Sequence, residues 1–363
     1  MWPYFFVVII LFILQFKFCD KSRENVRFMT GAVLLFLFAA LRGVSNGDYT
    51  VYLERGRDID SLYKVFHNNT HMEVGYSMLY YVINLFRLPS QCIIMAMNLI
   101  SITCITRFIK MYSPNQCLSL LLFLPLYFQF DMHAARTAVA ISISALSITY
   151  AYRRQFFRFC FTIFLASLFH QVAVIALVVY FVVNIHIDLT IGMGFILGSM
   201  CFIKLVGMDR LILEVFRFAG LNSFYVRYNG YVNSEDFGYP FSLFDPRLWL
   251  CILVYIAAKL LCRNATKIEN LLINCCLLNA LVMILFSEHT FICYRLSAFL
   301  NVYSIVLVPV VLKKIYCLRC GRSVNAAIRS YMEVNFLTVL LFTAYAFAYA
   351  SQGVGGLDYK FFF

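Results

Sequence analysis

Residues 117–151 read CLSLLLFLPLYFQFDMHAARTAVAISISALSITYA, two apolar runs joined by a short polar turn that holds Asp131 and Arg136. Each run is long enough for a membrane helix of roughly 15–20 residues. A basic pair, Arg153 and Arg154, follows the second run. This stretch therefore predicts a helical hairpin whose turn faces one side of a membrane and whose basic end faces the other side.

The same alternation runs through the whole 363-residue chain. Hydrophobic residues make up 62% of it, charged residues make up 13%, and the mean hydropathy is +0.79, which excludes a soluble globular protein. We predict an all-α, polytopic integral membrane protein with about twelve transmembrane helices. The predicted spans are residues 2–18, 28–42, 91–107, 117–130, 134–151, 157–169, 171–186, 189–206, 248–262, 270–287, 295–312 and 331–349.

Charge orients these spans in the membrane. With the N-terminus outside, the inner loops carry the entire formal net charge of +12 and the outer loops are balanced, as the positive-inside rule requires. The apolar segment 75–88 would invert this pattern if it crossed the membrane, so we predict a re-entrant or interfacial helix there. Two long outer loops follow, 43–90 and 207–247, within a single membrane domain that covers residues 1–363.

Motifs for nucleotide or metal chemistry are weak in this sequence. No Walker, dinucleotide-binding or HExxH pattern is present, so we expect no cofactor. Asp58 and Asp60 have the spacing of a metal-binding D-x-D motif, but basic residues around them would neutralise their charge. We therefore expect no metal. Because the basic residues follow membrane topology, we also expect no nucleic-acid partner.

A set of arginines lies on the outer side, where topology does not require them. An arginine at membrane depth is costly, so several that face one compartment indicate an anionic substrate there. The planar guanidinium binds phosphate oxygens in pairs and stays charged. The alternative is that these arginines reach out to the interface or form structural ion pairs, for which Asp131 is a candidate partner. The set comprises Arg42, Arg136, Arg217, Arg227 and Arg295.

Candidate groups for proton transfer and for contacts to substrate hydroxyls lie in the same outer segments. His170 stands between two short apolar helices, where its ring can act as a base or as a hydrogen-bond donor. The alternative is a structural histidine whose hydrogen bonds are made within the protein core. Glu288 and His289 precede a late span, either as an acid–base pair or as a polar loop. The segment after the second span adds Asp48, Tyr49 and Tyr52.

In order and content these motifs resemble the EpsG-like branch of the Wzy-type polysaccharide polymerases, over nearly the full length. That branch has an arginine before a Gly-x-Asp-Tyr stretch, an acidic-Gly-Tyr element, an arginine at a helix start, a Phe-His motif, an arginine that opens a late span, and a closing Tyr-Lys. The matching residues here are Arg42, Gly47-Asp48-Tyr49 and Tyr52, then Glu73-Val-Gly75-Tyr76, Arg136-Thr137-Ala138-Val139-Ala140, Phe169-His170-Gln171-Val172-Ala173, Arg295 and Tyr359-Lys360. Thr137 and Val172 replace the family's usual glutamine and serine, so hydrogen bonds from those two side chains are not implied.

The resemblance implies a glycosyltransferase at the outer face of the bacterial inner membrane. The charge pattern separately predicts periplasmic termini. It would move a growing glycan from undecaprenyl diphosphate to the next lipid-linked repeat unit, in O-antigen (lipopolysaccharide) or exopolysaccharide synthesis. A flippase and a chain-length regulator are implied partners. The diphosphate would be held by Arg42, Arg136 and Arg295, and the second carrier or growing chain by Arg217 or Arg227, with Tyr49 and Tyr52 on the substrate. The base would be His170, with Asp48, Glu73 and Glu288 as rivals.

Two other classes are compatible with the same sequence. A flippase or transporter of lipid-linked oligosaccharides would also be polytopic with buried arginines. The long, unequal outer loops and the lack of visible repeat symmetry argue against that class. The second class is another membrane transferase, such as an acyltransferase or a metal-dependent glycosyltransferase.

Overall fold

The computed structural model describes residues 2–15, 24–44, 48–67, 72–234, 239–319 and 359–362, and every regular element in that part of the chain is helical. The first half contains α1 (Trp2–Gln15), α2 (Glu24–Ala40), α3 (Tyr49–Glu54), α4 (Leu62–Phe66), α5 (Val74–Leu85), α6 (Cys92–Tyr112), α7 (Gln116–Leu126), a π-helical turn (Tyr127–Asp131), α8 (Ala135–Tyr152) and α9 (Phe156–Ser167). The second half contains a 3₁₀ helix (Gln171–Leu177), α10 (Val178–Phe181), α11 (Leu189–Leu205), α12 (Met208–Phe218), α13 (Asn222–Val232), α14 (Pro246–Leu261), α15 (Lys267–Leu285), α16 (Thr290–Asn301) and α17 (Ser304–Arg319). The predicted all-α class is confirmed.

The helices form two compact units. Unit 1 comprises Met1–Tyr180 and Val308–Phe363, and unit 2 comprises Phe181–Leu307. In unit 1, α6 packs against α2 and α8, α8 packs against α9, and α1 packs against α7. In unit 2, α15 packs against α11, α14 and α16, while α12 pairs with α13. The single domain proposed for residues 1–363 stays a prediction.

The hairpin at 117–151 forms α7, the π-helical turn and α8. Pro125 lies inside α7 and has no N–H to donate, and the helix widens directly after it. The widened turn ends at Asp131, which is only 1% exposed. Tyr127 anchors the turn by donating its hydroxyl to the carbonyl of Leu35 in α2 over 2.8 Å. The polar turn therefore begins inside unit 1, at the end of α2.

Two helices are long and apolar enough to cross a membrane, α6 and α15. Two bent pairs, α11 with α12 (76°) and α16 with α17 (53°), raise the number to at most four if each pair is one span, within the described residues. Shorter apolar helices occupy Pro3–Gln15, Gln116–Asp131, Phe156–Ser167 and Gln171–Phe181. The predicted span at 331–349 lies outside the described residues.

The predicted span at 295–312 is wrong as one continuous helix. A helix begins earlier, at Thr290, and ends at Asn301, and a second helix starts at Ser304. The hydroxyl of Ser304 donates to Oδ1 of Asn301 over 3.1 Å, and this side-chain bond bridges the break. Arg295 therefore lies in the second turn of α16 and does not open a helix.

The segments predicted as long outer loops contain helices of their own. Residues 43–90 hold α3, α4 and α5, and residues 207–247 hold α12 and α13. The predicted helix near 75–88 is present as α5, which has 12 residues and a length of about 18 Å. It is too short to cross a hydrocarbon core of about 30 Å.

Gly31 tests the packing of α1, α2 and α7. A Cβ at Gly31 would lie 2.7 Å from Cδ2 of Leu120 and 2.9 Å from Cδ2 of Leu11, whereas Gly194 has open space. We expect Gly31→Val to lower stability by about 1–3 kcal/mol through overpacking. The midpoint of thermal unfolding in detergent, followed by labelling of the buried free cysteines, measures this.

Gly194→Val is the matched control, since it makes the same change in another apolar helix. It should leave the midpoint nearly unchanged. An equal loss in both variants would show that the change in helix propensity, and not the contact of α2 with α1 and α7, sets the cost.

Candidate functional site

Arg42 is the most buried cation among the described residues of unit 1. It follows the end of α2, and its side chain is 1% exposed. None of its three guanidinium nitrogens has a hydrogen-bond partner among the described residues. A charged donor group left unpaired in the interior is costly, and such groups in native structures have a functional or solvent partner. A group that brings hydrogen-bond acceptors to Arg42 would therefore lower the cost of burying its charge.

The groups around Arg42 are polar but do not pair with it. Asp131 and the hydroxyls of Tyr4, Tyr52 and Tyr127 lie within electrostatic range of its guanidinium. Oδ1 of Asp131 is also buried without a hydrogen-bond partner among the described residues. We name this region of unit 1 the Arg42 site.

Residues 359–362 lie across the backbone of Arg42. The N–H of Gly43 donates to the carbonyl of Lys360 over 2.6 Å, and the N–H of Phe362 donates to the carbonyl of Leu41 over 3.1 Å. The hydroxyl of Tyr359 donates to the carbonyl of Phe38 over 2.8 Å, and the two rings stack at 4.3 Å. A Cβ at Gly43 would lie 2.4 Å from the carbonyl oxygen of Phe361, so this close backbone approach requires glycine.

Arg136 pairs with Glu73, and not with Asp131 as the sequence suggested. Nη1 of Arg136 forms an ion pair with Oε2 of Glu73, and the guanidinium carbon lies 5.5 Å from the ring centre of Tyr52. The hydroxyl of Tyr52 donates to Oδ2 of Asp48 over 3.1 Å. Arg136 stands in the first turn of α8, as its motif predicts. The pair therefore joins the start of α8 to the segment before α5.

The Glu73-Gly75-Tyr76 element brings the Phe-His motif close to this pair. The N–H of Gly75 donates to the carbonyl of Leu168 over 2.7 Å, and a Cβ there would lie 2.8 Å from that oxygen. The hydroxyl of Tyr76 donates to the carbonyl of Tyr52 over 2.6 Å. Glycine at position 75 thus lets α5 approach the loop that leads into His170.

His170 caps the 3₁₀ helix that follows it. Its Nδ1 accepts a hydrogen bond from the N–H of Val172 over 3.3 Å. An Nδ1 that accepts favours the neutral tautomer with its hydrogen on Nε2, an assignment that follows from the bonding pattern. In that tautomer the ring donates from Nε2, so this geometry favours His170 as a hydrogen-bond donor over a base.

Sequence reasoning missed Gln91, which holds the Arg42 segment in place. Its Nε2 donates to the carbonyls of Ala40 over 2.8 Å and Arg42 over 3.0 Å. Its Oε1 accepts from the hydroxyl of Tyr49 over 2.6 Å. Gln91 precedes α6 and is 7% exposed. In the sequence it is only a polar residue before an apolar run, which gives no sign of its burial or of its partners.

Burial sets the protonation of two groups beside the site. Burial, together with the charge of Asp48, raises the pKa of Tyr52 to about 12. Burial, together with the charge of Arg42, lowers the pKa of His133 to about 4. At neutral pH the phenol of Tyr52 therefore keeps its proton and the ring of His133 is uncharged.

Unit 2 contains a separate polar cluster. Oε2 of Glu288 accepts from the N–H groups of Met208 over 2.6 Å and Asp209 over 2.8 Å, which caps the start of α12. Nε2 of His289 pairs with Oδ2 of Asp209, so its acidic partner is Asp209 and not Glu288. The hydroxyl of Tyr228 donates to Oδ1 of Asp209 over 2.7 Å.

The five sequence-predicted arginines fall in both units. Arg42 and Arg136 belong to unit 1, together with Asp48, Tyr49, Tyr52, Glu73 and His170. Arg217 is an exposed residue of α12, and Arg227 lies in α13. Arg295 stacks on its neighbour one turn back, with its guanidinium carbon 3.9 Å from the ring centre of Phe291. The last three arginines belong to unit 2.

A family comparison agrees with this motif pattern. The model of the EpsG family matches residues 25–352, which is most of the chain. The chain therefore belongs to the EpsG family, a family of Wzy-like polysaccharide polymerases. No curated protein and no solved structure matches it.

Gln91→Leu should reduce polysaccharide polymerisation on the order of tenfold, because it removes the bonds that hold Tyr49 and the backbone of Arg42. Polymer yield per membrane-inserted protein measures this. Asn98→Leu is the control, since it removes a buried amide of α6 whose hydrogen bond among the described residues is to Ile94 of the same helix. Equal losses in both variants would assign Gln91 a general packing role.

The buried ring of His133 should make the stability of the protein depend on pH. Its pKa falls from an ordinary 6.5 to about 4 on folding, so the unfolded chain binds more protons between those values. The stability that rests on neutral His133 is complete above pH 6.5 and is lost as the pH falls towards 4. We expect His133→Gln to flatten the acid-side fall of the thermal unfolding midpoint. Exposed His67, changed to Gln, should keep the wild-type slope, and an unchanged slope in His133→Gln would contradict the burial of this ring.

Proposed function

We propose that this member of the EpsG family polymerises undecaprenyl-diphosphate-linked oligosaccharides at the outer face of the bacterial inner membrane. It transfers the growing glycan from its lipid diphosphate to the next lipid-linked repeat unit. The family supports the polymerase class. The observation that supports a lipid-diphosphate substrate is the burial of Arg42. Its guanidinium is fully buried, and none of its nitrogens is paired among the described residues.

A diphosphate fits Arg42 better than a neutral sugar does. An unpaired buried donor costs roughly 1–3 kcal/mol, and more when the group is charged. Phosphate oxygens fill several guanidinium positions at once and carry the opposite charge. They also bind the same residue more strongly when the leaving diphosphate gains charge in the transition state, which is the differential binding that accelerates a reaction.

Arg136 supplies the second cation of the Arg42 site. Glu73 and the face of Tyr52 hold its guanidinium, so it is preoriented before substrate arrives. Fixed positive charge in a site that excludes water stabilises negative charge without reorganisation. Two arginines in this arrangement stabilise a leaving diphosphate without a metal or a cofactor.

The transfer requires one proton acceptor. The acceptor hydroxyl oxygen forms the new bond to the anomeric carbon of the donor glycan, and the bond from that carbon to the diphosphate oxygen breaks. The electron pair leaves with the diphosphate, and the hydroxyl proton passes to a protein base. The candidate acceptors of this proton are Asp48, which accepts a hydrogen bond from Tyr52, and Glu73, which pairs with Arg136. His170 donates a hydrogen bond from Nε2 to the reacting groups, and Tyr49 and Tyr52 orient the sugar.

Unit 2 contributes the remaining residues of the proposal. Arg227 and Arg295 contact the second carrier or the growing chain, and Glu288 is the alternative base. About twelve helices cross the membrane, with both termini periplasmic and α5 interfacial. The charge pattern of the loops supports this topology. A flippase that delivers the repeat unit and a regulator of chain length are the functional partners.

Surface-glycan length profiling of a gene deletion and its complemented strains tests the proposal. The deletion should reduce the polymer ladder to single repeat units. Arg42→Ala and Arg136→Ala should each lower polymer yield about 100-fold, because each removes a charged donor from the leaving group. Arg57→Ala, at an exposed arginine of the same outer segment, is the matched control and should restore the full ladder.

Immunoblots of the membrane fraction normalise each result to inserted protein. Full polymer from Arg42→Ala or Arg136→Ala would contradict the diphosphate assignment. A deletion strain in which no repeat unit reaches the outer face would identify a transporter or an earlier enzyme instead.

A further inference from the structure

We propose that α12 (Met208–Phe218) lies flat in the lipid headgroup layer. Its apolar face, Leu211, Val215 and Phe218, inserts among the acyl chains. The adjacent strip, Arg210 and Arg217, binds anionic phospholipid headgroups. This proposal concerns unit 2 alone and does not depend on the proposed transferase activity.

The bend between α11 and α12 sets the orientation. α11 is an apolar helix of 17 residues, about 25 Å long, close to the thickness of a hydrocarbon core. α12 turns away from it by 76°, at Gly207, whose φ of +73° suits glycine. A helix turned by 76° from a membrane-crossing helix runs nearly parallel to the membrane surface.

The exposed surface of α12 has two chemically different strips. Leu211, Val215 and Phe218 recur at helical spacing on one strip and are 43%, 54% and 97% exposed. Arg210 and Arg217 are exposed on the adjacent strip, together with Glu214, which leaves a positive balance. Apolar and basic strips side by side are the pattern of helices that lie in a membrane interface. Anionic headgroups attract such basic side chains.

The third side of α12 packs against other residues of unit 2. Asp209 accepts the hydroxyl of Tyr228 and pairs with His289, and the ring of Phe216 meets the ring of Tyr228 edge-on at 6.1 Å between centres. Glu288 caps the first turn. These contacts hold α12 with the carboxylate of Asp209 turned inward and the apolar strip turned outward. The strip is thus presented to lipid before any lipid binds.

Depth-dependent fluorescence quenching tests the orientation. The full chain, with Trp2 and Trp249 changed to Phe, receives one new tryptophan and is placed in nanodiscs of phosphatidylethanolamine and phosphatidylglycerol with brominated acyl chains. Phe218→Trp should be quenched about twofold more than Glu214→Trp, whose position lies on the polar strip. Val215→Trp is a second apolar position, in case Phe218→Trp does not fold.

A second arm tests the headgroup chemistry. Quenching of Phe218→Trp should be stronger in nanodiscs that contain phosphatidylglycerol than in phosphatidylcholine alone. Adding Arg210→Gln and Arg217→Gln should remove this difference, and an unchanged difference would overturn the headgroup assignment.

Two results would overturn the in-plane orientation. Equal, weak quenching at the apolar and polar positions, with water-like emission, would place α12 in solvent. Shielded emission without lipid quenching would show that a second copy of the chain covers the apolar strip.

Discussion

Arg42, a buried cation without a hydrogen-bond partner among the described residues, is the constraint around which unit 1 is arranged. The backbone of Arg42 is held on both sides, by Gln91 and by residues 359–362, while its side chain is left unbonded within the described part of the chain. In the described part of the chain, hydrogen bonds therefore fix the backbone of Arg42 and leave its guanidinium unbonded. The diphosphate site that we propose requires such a cation, whose backbone is positioned before the ligand arrives.

The same principle connects the other motifs of unit 1. Glu73 orients Arg136, Gly75 lets α5 approach the loop before His170, and Tyr76 bonds the backbone of Tyr52. Each contact joins segments that are far apart in the chain. The short motifs are therefore parts of one arrangement, and each has a structural reason for its residue type: a close approach, a buried ion pair or a hydroxyl within reach of a carbonyl.

Apolar periodicity predicted the helical class, the hairpin at 117–151 and a short helix near 75–88, because helix formation depends on local sequence. The number of membrane spans, their orientation and the roles of Arg42 and Arg136 stay predictions. Which side chains form ion pairs, in contrast, depends on the tertiary structure and not on the local sequence. Asp131 is nearer to Arg136 in sequence, but the π-helical turn carries Asp131 to the end of α2, and Glu73 pairs with Arg136 instead. Likewise, the break at Asn301–Ser304 contains neither glycine nor proline, and the amide of Gln91 looks like any polar residue at a helix start.

The contact between Tyr359 and Phe38 has a consequence for biosynthesis. It joins residues separated by 321 positions. The segment around Arg42 is therefore synthesised long before residues 359–362. Contacts of such long separation form late. During insertion the backbone around Arg42 therefore stays without these contacts until residues 359–362 have been synthesised. A frameshift or stop codon far downstream would leave most helices inserted but the Arg42 site open.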